Sequence, residues 1–158
     1  MNPHHDHASG GGHYGRLAGM ALVSYALMYA LMYGMVDGWS GVYLNLNQAY
    51  MAGLMAAPMV ALELLLMKRM YGNARLNTVL IVLSLAATVL FWALLRTQAA
   101  IGDAQFLRSM IPHHSGALLM CREARLSDPR LQALCRDIQA GQQREIELMR
   151  ALLAERGG

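Results

Sequence analysis

Three nearly uncharged apolar stretches, each about twenty residues long, limit what this chain can fold into. They run over 17–36, 48–67 and 78–95, and a helix needs about 20 apolar residues to cross a hydrocarbon core of about 30 Å. One such stretch alone could be a buried core helix. Three in succession, in a chain with 56% hydrophobic and 15% charged residues, predict a transmembrane region over 17–96. The first stretch is too long for a cleaved signal peptide, has a single Arg before it and lacks a small-x-small cleavage site after it, so it is expected to stay. Residues 1–16 are polar and Gly-rich, too small to pack, and are expected to form a flexible tail carrying His4, His5, His7 and His13.

Charge sets the expected topology. The loop 37–47 has no Lys or Arg, whereas 68–76 has Lys68, Arg69 and Arg75. The positive-inside rule then puts 68–76 and the N-terminus in the cytoplasm. The first loop and residues 97–158 fall outside, in the periplasm or beyond the cell if the membrane is a bacterial inner membrane. Arg96 is the one dissenting charge. Trp39, Tyr43 and Trp92 lie near apolar ends, as interfacial aromatics do.

After Arg96 the pattern changes. Residues 97–158 hold 8 basic and 7 acidic groups of the chain's 13 and 10. These alternate along amphipathic helices, with no basic stripe interleaved with aromatics, so a pI near 9.1 does not point to nucleic acid. Over 101–125, apolar or special residues recur every three to four positions. Ser127-Asp128-Pro129 then supplies a stop and a restart, with Asp128 as N-cap and Pro129 at the first helical position. A turn this short forces two antiparallel helices, in which residues summing to about 256 face each other. His114 is then expected to face Gln142, Met110 to face Glu145 or Ile146, and Cys121 to face Cys135. The predicted fold is all-α: three transmembrane helices followed by an extramembrane helical hairpin.

Met110, His113 and His114 are related by three and four residues, with Met120 further along the helix and Met149 and Glu145 on the facing one. Thioethers are soft ligands and imidazoles intermediate, so such a face selects Cu(I) or Ag(I) over hard cations. Glu145 is suited to orient a histidine from behind. Adjacent histidines on a helix point 100° apart, so one is expected to bind metal while the other contacts Glu145 or a neighbouring subunit. Cys121 and Cys135 have three open roles: small core residues, a disulfide in an oxidising compartment, or two thiolate ligands. Within the membrane, Met51, Met55, Met59, Glu63 and Met67 follow at a stride of four. Core packing is the plain reading of that row. An ionisable Glu63 so deep adds a second: an inward seam, facing Met28 and Met32, that holds or relays copper.

Asp103, Phe106-Leu107, Met110-Ile111-Pro112-His113-His114, Ala117 and Met120, with Ile138, Gln142, Glu145-Ile146 and Met149, resemble the signature of the domain of unknown function 305 family over about residues 100–153. The resemblance implies a ferritin-like helical bundle outside the cytoplasm that binds copper or silver for metal tolerance. It implies ligand roles for Met110, His113, His114, Met120 and Met149. Many members have four helices where this chain supplies one hairpin, so a second subunit completing the bundle is expected. The aromatic usual near the end of the second helix is here Leu152 or Leu153. An oxidase is not expected, because a di-iron bundle needs Glu-x-x-His pairs and the chain has none. No nucleophile–base set and no phosphate-cradling Gly loop appears either.

Overall fold

The computed structural model describes residues 9–156, and these fold into five α-helices: α1 Ser9–Leu31, α2 Leu46–Leu66, α3 Ala74–Thr97, α4 Asp103–Glu123 and α5 Pro129–Glu155. No strand occurs among them. Short 3-10 turns at Met32–Met35 and Trp39–Gly41 join α1 to α2. The described residues divide into two compact units, 9–29 with 49–97, and 30–48 with 98–156.

Gly12–Met35, Leu46–Leu66 and Ala74–Thr97, most of whose residues lie in the first unit, are long and apolar enough to cross a membrane. Their hydroxyls are satisfied locally: Thr78, Thr88 and Thr97 donate to the carbonyls of Ala74, Ser84 and Ala93, the back-bonding that lets Thr sit inside an apolar helix. Leu17, Leu64 and Tyr71 form a buried cluster. Gly53 lets Phe91 approach so closely that a Cβ there would lie 2.6 Å from three ring atoms.

The expected flexible tail over 1–16 is corrected at its inner end. The helix starts at Ser9, eight residues before the predicted boundary. Glycine is a poor helix former, but tertiary contacts outweigh propensity here. Leu17 is 3% exposed, Tyr14 stacks near Tyr71 with centroids 5.3 Å apart, and the Tyr14 hydroxyl donates to Asn77 Oδ1 at 2.7 Å. His13 is on this helix and half-buried; His4, His5 and His7 lie outside the described residues.

The second unit is the hairpin α4–α5 with the segment 30–48 docked on it. Asp128 caps α5 by accepting from the Arg130 backbone N–H at 2.8 Å, with Pro129 next, as the sequence predicts. Arg130, through its side chain and then its N–H, holds the Asp128 carboxyl below its ordinary range. Leu107, Ile111, Ile146, Met149 and Leu153 form the core between the helices, and Tyr43 of the docked segment packs against it. Cys121 and Cys135 are joined by a disulfide at the turn end, while Arg156 and Asp103 pair at 3.0 Å at the other.

Docking of 30–48 uses backbone groups as much as side chains. The Asp37 N–H donates to Ser115 Oγ at 2.9 Å, Arg150 donates to the Ser40 carbonyl at 2.8 Å, and the Leu46 N–H donates to Gln105 Oε1 at 3.0 Å. Asp37 also pairs with Arg122. Two glycines make room: a Cβ on Gly116 would lie 3.2 Å from the Met35 carbonyl, and one on Gly41 would lie 2.6 Å from Val36 Cγ1. Asn47 and Gln98 exchange amide hydrogen bonds, both 3.0 Å. Gln98 takes a positive φ of 51°, as does Ala100 at 57° in the same link between α3 and α4.

Candidate metal-binding face of the hairpin

The residues 107, 111, 114 and 118 recur at helical spacing and turn one face of α4 toward α5. His114 lies on that face with a side chain 14% exposed, and its Nδ1 is 2.9 Å from Glu145 Oε2. The Nδ1 edge of the ring therefore faces a carboxylate, while Gln142 Oε1 is a buried acceptor with no hydrogen-bond partner among the described residues. Buried polar groups without partners are rare and costly. A carboxylate at Nδ1 is the arrangement that fixes a histidine's tautomer and frees Nε2 as a ligand.

Two of the sequence-predicted thioethers lie in this core. Met149 is 8% exposed in the core cluster, and Met110 packs against that cluster. The other two predicted ligands are on the outside: His113 is exposed and Met120 is 55% exposed. The two imidazole rings are 6.0 Å apart between centroids and tilted by 58°. One chain therefore does not gather all five residues inward; it buries Met149, partly buries Met110 and His114, and leaves His113 and Met120 outside. Among the described residues, no group of three or more His, Cys, Asp or Glu side chains is arranged to hold a metal ion. Any site here depends on methionine sulfur.

Two possible ligand sets are not assembled in the structure, and for the cysteines it shows the disulfide among the three open roles. Cys121 and Cys135 are bonded to each other, so neither offers a thiolate in this state. In the membrane helices, Met51, Met55 and Met59 are 37%, 45% and 44% exposed, so they do not form an inward seam. Each step of four residues along an α-helix precesses by only about 40°, so these three share one face of α2, the outer one. Ala52, Gly53, Ala56, Ala61 and Leu64 occupy the buried positions instead. Glu63 is half-buried and accepts a hydrogen bond from the Tyr71 hydroxyl at 2.7 Å. Burial first, then the hydrogen bond and charge of Glu63, push the Tyr71 phenol up to about 12. Met28 and Met32 are half-buried.

Sequence reasoning did not find the docked segment. Ser115, Gly116 and Arg150 form its seat, which Asp37, Ser40 and Met35 of the segment contact, and the available signal was the small pair Ser115-Gly116 in an otherwise bulky helix.

Residues 93–158 match the protein family described as Domain of unknown function (DUF305). "Uncharacterized protein L153" of Acanthamoeba polyphaga mimivirus is 37% identical over 140 residues, covering 87% of this chain and 90% of the relative. A match of that extent takes in apolar helices as well as the hairpin. No solved structure matches the chain.

Proposed function

The chain belongs to the DUF305 family, and from that premise we propose that it is a membrane-anchored copper(I)- or silver(I)-binding protein serving metal homeostasis or resistance, and not an enzyme. The observation that carries this reading is the half-buried His114, whose Nδ1 lies 2.9 Å from Glu145, on a hairpin whose core also holds Met110 and Met149. A soft cation would take the thioethers and one imidazole nitrogen, a donor set that hard cations avoid. Glu145 would hold the ring from the opposite nitrogen.

The three apolar helices anchor the hairpin, and the positive loop 68–76 places it outside the cytoplasm. The Cys121–Cys135 disulfide supports that side, since disulfides persist in oxidising compartments. Trp39, 93% exposed in the loop between α1 and α2, suits an interfacial anchor. The outward Met51, Met55 and Met59 favour an anchor over a copper conduit. A second copy of the chain would cover the face bearing Phe106, His113 and Met120, which recur every seven residues at 49%, exposed and 55%, the spacing of a helix-packing seam.

Titration of the full chain in detergent with Ag(I) tests the reading, followed through methionine methyl and histidine ring resonances. Met110, Met149 and His114 are expected to shift first. His114→Ala is expected to weaken binding by about tenfold or more, and His113→Ala by clearly less. Unchanged spectra in the wild type would leave a structural or assembly role without metal as the function.

A further inference from the structure

Ion pairing in the hairpin is uneven. Arg122 pairs with Asp37 and Glu123, Arg130 with Asp128, and Arg156 with Asp103, and all three arginines are exposed. Arg108 and Arg150 differ in both respects. They are the only arginines among the described residues that are not exposed, and neither has a carboxylate partner among those residues. Arg150 donates one bond to the Ser40 carbonyl at 2.8 Å; no hydrogen bond is formed by the Arg108 side chain among the described residues.

These two cations line one cavity of about 340 Å³, with Tyr43, Leu44 and Leu153 among its other walls and no acidic residue. Guanidinium groups partly withdrawn from water and set around one space repel each other, and neither has a counter-charge to offset its lost hydration. An oxyanion in that space would remove both penalties, and the planar fork of arginine binds phosphate with two parallel hydrogen bonds.

The surroundings indicate which oxyanion. The remaining walls are largely apolar, which suits an amphiphile better than a bare ion. The wall residues Val42–Leu44 lie two to four residues before α2 begins at Leu46, so chain connectivity holds the cavity at the edge of a span. Leu44, one of its walls, is 69% exposed, and the same loop carries the exposed Trp39. We propose that the Arg108–Arg150 cavity binds a phosphate-bearing anion, with a phospholipid headgroup as the source that its walls and position fit. The membrane placement of α2 supports the lipid source, and the metal reading is not involved.

The test uses the full chain in detergent. It is titrated separately with a short-chain phosphatidylglycerol, the phosphatidylcholine of equal chain length and inorganic phosphate, and binding is read by calorimetry and phosphorus line width. Saturable binding is expected, strongest for the anionic lipid. Arg108→Gln and Arg150→Gln are each expected to weaken it by about tenfold or more, as for a lost hydrogen bond between charged groups. The exposed Arg144→Gln should stay within about twofold. Arg108→Lys and Arg150→Lys, which keep the charge and lose the fork, should fall between, and they decide the matter if a Gln variant does not fold. Equal binding of inorganic phosphate supports the anion site and makes its source a free oxyanion. Absence of saturable binding of all three probes overturns the proposal, as does an Arg144→Gln loss as large as the other two. Silver titration of the same variants should be unchanged, so failure of this site and failure of the metal site are read separately.

Discussion

Reducing the Cys121–Cys135 disulfide is expected to loosen the turn end of the hairpin while leaving its other end intact. The bond closes a loop with a sequence separation of 14, and a loop of that size restricts the opened chain by about 3 kcal/mol. At about 1.4 kcal/mol per factor of ten, local opening becomes roughly 150-fold more frequent when the bond is absent. The end bearing Asp103 and Arg156 has its own fastenings, in Leu107, Met149 and Leu153 of the core and in the Gln105 contact with Leu46. Amide hydrogen exchange in micelles should therefore accelerate about a hundredfold over 117–122 and 131–138, with little change over 104–111. The comparison is oxidised wild type against a Cys121→Ala, Cys135→Ala chain, which avoids side reactions of a reductant with metal. Uniform acceleration along both helices would refute the reasoning, because it would mean the hairpin opens as one unit. No acceleration would refute it too, since the core alone would then hold the turn. Silver stoichiometry settles a linked point: with the bond intact it should equal that of the double-alanine chain. A higher value only after reduction would restore the thiolates as ligands.

Two further substitutions test the packing. Gly53→Ala gains about 1 kcal/mol in helix propensity, but its Cβ would sit 2.6 Å from the Phe91 ring, and overpacking costs about 1–3 kcal/mol. Net destabilisation in denaturant titrations is expected, reversed to a gain when combined with Phe91→Leu; a gain in the single variant would show that the ring moves freely. Ala100→Gly removes the cost of a positive φ of 57° at a residue with a Cβ and should stabilise the link between α3 and α4 by about 1 kcal/mol. A loss of thermal stability would show that the unfolded-state entropy of glycine outweighs the relief.

What was legible in the sequence is what side-chain periodicity carries. The apolar stretches gave α2 and α3 to within a few residues, and the Asp128-Pro129 restart placed α5. The short turn fixed the register at the Cys121–Cys135 pair, but further along the hairpin His114 meets Glu145, which was expected opposite Met110, rather than Gln142. The docked segment 30–48 was not legible, because its seat consists largely of groups every residue possesses. The Asp37 N–H, the carbonyls of Met35 and Ser40, and the Leu46 N–H make the contacts, and a main-chain group leaves no mark on composition or spacing. The early start of α1 was hidden for a related reason: glycines at 10–12 argue against a helix locally, and only the distant Asn77 and Tyr71 hold it.

The candidate site was half legible, and the division follows from helix geometry. Adjacent histidines must diverge by about 100°, so one of His113 and His114 has to leave the core. Position 114 is three residues from Ile111 and seven from Leu107, both buried, which selects His114 as the inner one; position 113 shares its face with the exposed Phe106 and Met120. Spacing alone misleads for Met51, Met55 and Met59, which do share one face over two steps of four, but the outer one. The pattern of the hairpin therefore carries positional information that the pattern of α2 does not. In water, apolar spacing marks the buried face, whereas in a membrane the lipid-facing surface is as apolar as the packed one. There, the small residues Ala52, Gly53 and Ala56 mark the contact face of α2, and the methionines mark its outer side.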